Sequence, residues 1–107
     1  MTQTSLPEEM PAAFNAPPGA VRLGTRPVRQ PGDGEVLLEV DYCGICRSDV
    51  HAVVDGWGPA GNTGGHEYSA TVVAVGPGVT EWSVGDAVVG GPGHGCGRCD
   101  FCAVGEI

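Results

Sequence analysis

Three groups of potential metal ligands constrain the fold of this chain, because side chains that share a metal ion must converge in space. The first group surrounds Cys46, within Cys43-Gly44-Ile45-Cys46-Arg47-Ser48-Asp49-Val50-His51. The second is Gly65-His66-Glu67, and the third is Cys96-Gly97-Arg98-Cys99-Asp100-Phe101-Cys102. Thiolate sulfur and imidazole nitrogen are the ligands that suit zinc best, so the pattern predicts a zinc-binding protein.

Composition and periodicity indicate a single, mainly β domain. The chain has 107 residues, enough for one domain with a modest core. Its 19 glycines and 9 prolines indicate many tight turns, and the apolar residues alternate between them as in strands. We predict a tail over residues 1–10, a short helix over 48–54, a loop over 55–65 and strands at 12–14, 21–23, 35–42, 68–75 and near 89. After Gly90 the cysteine-rich segment is predicted to be a loop held by a metal.

Two predicted strands differ in their expected burial. Residues 35–42 alternate, which predicts that Val36, Leu38, Val40 and Tyr42 face the core. Residues 68–75 are almost continuously apolar, which predicts a strand that is buried on both faces.

Charge and cysteine usage limit the partners and the compartment. The net charge is −8 with no lysine, so nucleic acid and anionic membrane surfaces are poor partners. Five closely spaced cysteines suit a metal better than disulfides, which indicates a reducing, cytoplasmic setting. No apolar run reaches the roughly 20 residues of a membrane span, and no secretory signal is visible.

The first two groups together predict a catalytic metal site. Cys46 and His66 can supply two zinc ligands from different elements, and Glu67 can supply a third or a reserve oxygen. A catalytic zinc has about three protein ligands and one open position. The alternative is that Cys43 and Cys46 are small buried residues and that His66 is a core histidine.

Other residues near Cys46 suggest supporting roles. Ser48 and His51 are three apart and share one face of the predicted helix, which makes a proton path to solvent plausible. Asp49 could orient His66 through its free ring nitrogen. In the alternative, Ser48 is a helix cap, and His51 and Asp49 are surface residues. Cys43 and Cys46 could also be a redox pair, but that needs a C-x-x-C opening a helix in an α/β domain.

The third group predicts a structural metal site. Cys96, Cys99 and Cys102 give three ligands, whereas a structural zinc needs four. His94 is one candidate for the fourth ligand, and a cysteine just beyond Ile107 is another. An iron–sulfur cluster would need a cysteine where Glu106 stands, so that alternative is disfavoured.

Together these motifs resemble the zinc-containing alcohol dehydrogenases of the medium-chain dehydrogenase/reductase family. The resemblance also includes residues 31–40, 73–76 and 84–86, in the family's order. It implies a GroES-like, partly open β-barrel with short helices and a cysteine-rich zinc lobe, over residues 11–107. It also implies an NAD(P)-dependent enzyme that interconverts a small alcohol and an aldehyde or ketone, and that is a homo-oligomer when intact.

The resemblance assigns a role to each matching residue. Cys46 and His66 match catalytic zinc ligands, and Glu67 matches a nearby acid. Ser48 matches the hydroxyl that receives the alcohol proton, and His51 matches the relay to water.

Outside the reacting centre, Arg47 matches a residue that contacts the cofactor pyrophosphate, and Asp49 matches the partner of the zinc-bound histidine. The structural zinc lobe is matched by Cys96, Cys99 and Cys102.

The sequence departs from the family pattern in two respects. A later third catalytic ligand is absent from the 107 residues, and no G-x-G-x-x-G follows a strand. The chain is therefore expected to be the N-terminal part of a longer enzyme. Three alternatives are a catalytically inactive zinc-binding β domain, a co-chaperonin-like binding module and a zinc-free quinone reductase. The metal ligands disfavour the last two.

Overall fold

Over the part of the chain that the structure describes, the protein forms two antiparallel sheets and two short helices. The structure is a computed structural model that describes residues 6–91 and 98–104. The first sheet is a hairpin of β1 (Glu9–Ala16) and β2 (Ala20–Pro27), and the second contains β3 (Val36–Cys43), β4 (Tyr68–Val75) and β5 (Ala87–Gly90), with β4 in the middle. Helix α1 (Arg47–Val54) follows β3, and helix α2 (Asp100–Ala103) follows β5. The mainly β prediction is confirmed, and within residues 6–91 and 98–104 the two sheets are open and do not close into one barrel.

The hairpin begins earlier than the sequence predicts. Glu9 pairs with Pro27 and Met10 pairs with Arg26, so these two residues belong to β1 and not to a tail that ends at residue 10. Strand pairing uses backbone groups, and therefore it can include a polar segment that carries no apolar alternation. Of the predicted tail, residues 1–5 lie outside the described part of the chain.

The core is centred on β4. Ala70, Val72, Val73 and Ala74 are 2%, 0%, 3% and 0% exposed. Successive residues of a strand point to opposite faces, so this run is covered on both sides. The prediction of a doubly buried strand over 68–75 is confirmed.

Strand β3 deviates from the predicted alternation. Val40 and Tyr42 are 51% and 81% exposed, although both were expected to face the core. The pairing of β3 with β4 shifts register between Leu37 and Leu38 and again between Val40 and Tyr42. The second shift leaves an extra residue, Asp41, in β3, and an extra residue changes the face that the next side chain occupies, which explains why alternation fails at Tyr42.

Helix length also bears on the membrane question. Among the residues that the structure describes, no helix is both long enough and apolar enough to cross a bilayer.

Val72→Ala tests the position of the core. Val72 is fully buried, whereas Val89, in the neighbouring strand β5, is 84% exposed. Removal of two buried methyl groups should lower the free energy of unfolding by about 2 kcal/mol. The matched change Val89→Ala should alter it by less than about 0.5 kcal/mol. Urea denaturation followed by circular dichroism measures both values, and equal losses would contradict a core centred on β4.

Candidate metal centre

The pairing of β3 with β4 brings the first two ligand groups together. Cys43 and Tyr68 are register partners at the end of the β3–β4 ladder. One residue beyond them, the Gly44 amide donates a hydrogen bond of 2.7 Å to the Glu67 carbonyl. Since the strands are antiparallel, the chain that leaves β3 and the chain that enters β4 meet at this edge. Cys46 therefore lies close to His66, which precedes β4.

The convergence predicted for Cys46 and His66 is present, and Glu67 joins them. One ligand atom from each of these three residues lies within 4.8 Å of the other two. Cys46 and His66 are half-buried and Glu67 is exposed. A thiol, an imidazole and a carboxylate at this separation form a donor set that suits a zinc ion.

Cys46 is also the N-cap residue of helix α1. It has an extended N-cap backbone, and its amide donates to Asp49 Oδ2 at 2.9 Å. The aspartate at the third helical position thus satisfies a backbone donor, as in a capping box. The helix starts at Arg47, one residue before the predicted start, and Asp49 performs the capping that the alternative gave to Ser48.

Asp49 links this helix start to His66. Its Oδ1 atom lies 3.6 Å from His66 Nδ1, and the two side chains are 26% and 27% exposed. That separation is longer than a hydrogen bond but within the range of an ion pair. The structure therefore brings the predicted pair together without a direct hydrogen bond.

Three further candidate residues, Arg47, Ser48 and His51, lie in helix α1. Arg47 and Ser48 are both exposed in the first turn of the helix. Among the described residues, none hydrogen-bonds the Ser48 hydroxyl.

His51 contacts two residues that follow it in the chain. Its Nδ1 atom lies 2.5 Å from Asp55 Oδ2, and its ring stacks on Trp57 with centroids 5.2 Å apart. The sequence analysis missed Asp55, although an i, i+4 spacing from His51 could have suggested it.

Gly65 allows the close approach of Cys43 to the loop before β4. Gly65 has a φ of +110°, a backbone conformation that residues other than glycine rarely adopt. A Cβ atom at this position would lie 2.9 Å from Cys43 Sγ. The Cys43 thiol donates to the Gly44 carbonyl at 3.6 Å. The C-x-x-C segment does run from a strand into a helix, but the sheet beside it is antiparallel and not that of an α/β domain.

The cysteine lobe is described in part. Cys99 caps α2, its Sγ accepts from the Cys102 amide at 3.4 Å, and the two Sγ atoms are 3.5 Å apart. Two thiolates on one tetrahedral zinc would be about 3.8 Å apart, given Zn–S bonds of about 2.3 Å. The predicted loop contains a short helix here, while Cys96 and His94 lie outside the described residues.

Comparison with known families identifies the chain. The family model of the alcohol dehydrogenase GroES-like domain matches residues 32–107. The chain belongs to this family. The resemblance to the zinc-containing alcohol dehydrogenases of the medium-chain dehydrogenase/reductase family is thereby confirmed.

Individual relatives agree with this GroES-like assignment. An alcohol dehydrogenase from Schizosaccharomyces pombe is 41% identical over 93 residues, which are 83% of this chain and 27% of the relative. The cobalt- and zinc-bound thermostable alcohol dehydrogenase from Pyrobaculum aerophilum superimposes with a TM-score of 0.79 at 36% identity, covering 92% of this chain and 31% of that one. Acetophenone reductase from Geotrichum candidum, solved in complex with NAD, gives 0.82 at 32% identity, covering 95% and 31%. The chain thus spans less than a third of each of these proteins.

A second contact missed by the sequence analysis holds the loop that leads to His66. The Asn15 amide donates to the Asn62 carbonyl and the Gly61 amide donates to the Asn15 carbonyl, both at 2.8 Å. The Asn15 side chain donates to the Gly58 carbonyl, and its Oδ1 atom is buried without a partner among the described residues. These residues are far apart in sequence, so local patterns could not reveal the contact.

A cavity of about 480 Å³ lies between the hairpin and α1. Apolar side chains from both sides line it, among them Ala13, Val21, Val50 and Val53. Asp49 and Gly65 also reach it, so it borders the residues that position the ligand cluster. Its volume is within the range of small-molecule sites.

Gly65→Ala tests the packing behind the GroES-like metal centre. The substitution introduces a strained φ and a clash with Cys43 Sγ, so it should lower the free energy of unfolding by about 3 kcal/mol. Gly61→Ala is a control in the same loop with a φ of +78° and no atom near the added Cβ. It should cost only about 1 kcal/mol. Chemical denaturation compares them, and an equal cost would contradict the close approach of Cys43.

Proposed function

We propose that this chain is the N-terminal zinc-binding part of an NAD(P)-dependent alcohol dehydrogenase that interconverts an alcohol and an aldehyde or ketone. The observation that carries the proposal is the convergence of Cys46, His66 and Glu67 within 4.8 Å, in a chain of the alcohol dehydrogenase GroES-like family. The GroES-like domain, expected from the sequence over residues 11–107, includes Glu9 and Met10 in this proposal because strand β1 begins at Glu9.

The donor set supports a catalytic zinc ion. Cys46 and His66 would hold the metal, and the exposed Glu67 would stand beside it as an acid that can approach it. Zinc bound there would supply a Lewis acid that polarises an alcohol or carbonyl oxygen. Asp49 would support the site from behind, because its carboxylate faces His66 and also fixes the amide of Cys46.

The first turns of α1 would handle the proton of the alcohol. The Ser48 hydroxyl is exposed and near the ligand cysteine in sequence, and it would accept the substrate proton while passing its own towards His51. His51, one helical turn further along, would release a proton to water. A nicotinamide cofactor would supply the hydride acceptor, and the permanent charge of Arg47 would bind the cofactor's pyrophosphate.

The remaining parts of the proposal rest on the family. Cys96, Cys99 and Cys102 would bind a structural zinc, consistent with the short distance between the last two thiols. The cofactor would be NAD or NADP, and the acetophenone reductase that was solved in complex with NAD supports a nicotinamide cofactor. The substrate would be a small alcohol or carbonyl compound. A cytoplasmic homo-oligomer is proposed for the intact enzyme.

Zinc binding tests the ligand assignment directly. In a background in which Cys96, Cys99 and Cys102 are serine, Cys46→Ser or His66→Ala should remove about one equivalent of bound zinc, because each deletes a ligand of one site. Cys46→Ser should also abolish the thiolate-to-metal absorption band after cobalt substitution. Cys43→Ser is the matched control and should keep both signals. A Cys46→Ser variant that retains the cobalt–thiolate band contradicts the assignment.

The role of Ser48 is tested in a chimera in which this chain replaces the corresponding segment of the Pyrobaculum aerophilum enzyme. Ser48→Ala removes the proton acceptor and should lower kcat at neutral pH by roughly 10²- to 10⁴-fold. Ser48→Thr keeps a hydroxyl and should retain the activity of the parent chimera. Parental kcat in Ser48→Ala would exclude this role for the hydroxyl.

A further inference from the structure

We propose that Asp55 is a positioning residue for His51. The Asp55 carboxylate fixes the His51 ring in the Nδ1–H tautomer and leaves Nε2 as the proton acceptor. The inference rests on the proposed function of His51 as the last protein group in the proton path. It adds a residue that neither the motif nor the sequence analysis includes.

The hydrogen bond between the two side chains determines the tautomer. His51 Nδ1 lies 2.5 Å from Asp55 Oδ2. An ionised carboxylate has no hydrogen to donate, so the hydrogen of this bond must be on Nδ1. A neutral imidazole then carries its lone pair on Nε2, and that atom alone can accept a proton.

The end of helix α1 holds Asp55 in the position that this bond requires. Asp55 is the C-cap residue of α1, and its amide donates to the His51 carbonyl at 3.0 Å. The same two residues are therefore joined by a backbone bond and by a side-chain bond. Because the backbone bond sets the separation of the two residues, the carboxylate reaches the ring without a long, flexible side chain.

Trp57 restrains the ring from a second direction. The His51 and Trp57 rings are nearly parallel, with an angle of 12° between their planes and 5.2 Å between their centroids. Gly56, which has a φ of +77°, turns the chain between Asp55 and Trp57. One edge of the imidazole thus contacts a carboxylate, and one face contacts an indole. Rotation of the ring would break one of these contacts or both.

Exposure argues against a mainly structural role for this pair. The side chains of His51 and Asp55 are 41% and 49% exposed, and ion pairs as exposed as this contribute little to folding stability. Trp57 is itself 66% exposed, so its indole covers the imidazole without forming part of a core. An exposed, oriented imidazole can exchange a proton with water, which the end of a proton path requires.

The tautomer is tested by nuclear magnetic resonance on the chain labelled with ¹⁵N-histidine. Long-range ¹H–¹⁵N correlations should show His51 protonated at Nδ1, with the resonances assigned by their loss in His51→Gln. Asp55→Ala should shift the population towards the Nε2–H form, which free imidazoles prefer in water. Asp33→Asn removes an exposed carboxylate elsewhere and should change nothing. An Nε2–H tautomer in the unmodified chain, or an unchanged tautomer in Asp55→Ala, overturns the proposal.

The consequence for proton transfer is tested by a double-mutant cycle in the chimera. Asp55→Ala should lower kcat on the order of tenfold with KM little changed, because only part of the acid–base contribution is lost. In a His51→Gln background the same change should have no further effect, since Asp55 acts through His51. Equal losses of kcat in both backgrounds overturn the positioning role.

The two proposals fail in distinguishable ways. Retention of the bound zinc and of the cobalt–thiolate band in Cys46→Ser would contradict the proposed dehydrogenase function and leave the tautomer measurement valid. Normal zinc binding and a normal Ser48 effect, together with an Asp55 effect that does not depend on His51, would contradict only the role of Asp55.

Discussion

The candidate site depends on the hydrogen bond between the Gly44 amide and the Glu67 carbonyl. This bond extends the β3–β4 ladder beyond the last paired residues of the strands. It holds the segment that follows β3 against the segment that precedes β4. Cys46 lies in the first of these segments and His66 in the second. Backbone pairing therefore creates the cluster, and the side chains of Cys46 and His66 need only short reaches to meet. No apolar contact between the ligand residues themselves is required.

The same edge explains why several polar residues have two tasks. Cys46 is a candidate ligand and the N-cap residue of helix α1, and Asp49 accepts a hydrogen bond from the Cys46 amide while its carboxylate faces His66. A substitution at either position would thus disturb the helix start and the metal centre at once. The glycine at 65 belongs to this arrangement because it leaves room for the Cys43 thiol beside the loop. Structure and chemistry are not separable in this part of the domain.

Much of this organisation could be predicted from the sequence, for reasons that differ among its parts. The doubly buried β4 was predictable because an apolar run of strand length between turn residues allows few other structures. The convergence of Cys46 and His66 was predictable because ligand chemistry demands proximity whatever the fold. Tyr42 was predicted wrongly, because a register shift is set by pairing between strands and leaves no mark in the alternation of one of them. Asp55 was not predicted because it lies outside the ligand motifs, at the C-terminal end of helix α1.

Asn15 shows how a residue outside the ligand motifs can determine the quality of a site. Its backbone and side chain fix the segment at 58–62, only a few residues before His66. The freedom of that segment is consequently limited by a strand of the other sheet. The hairpin therefore restrains the position of the His66 imidazole. Natural substitutions in β1 or β2 can consequently change the geometry of the metal centre while every ligand residue stays the same.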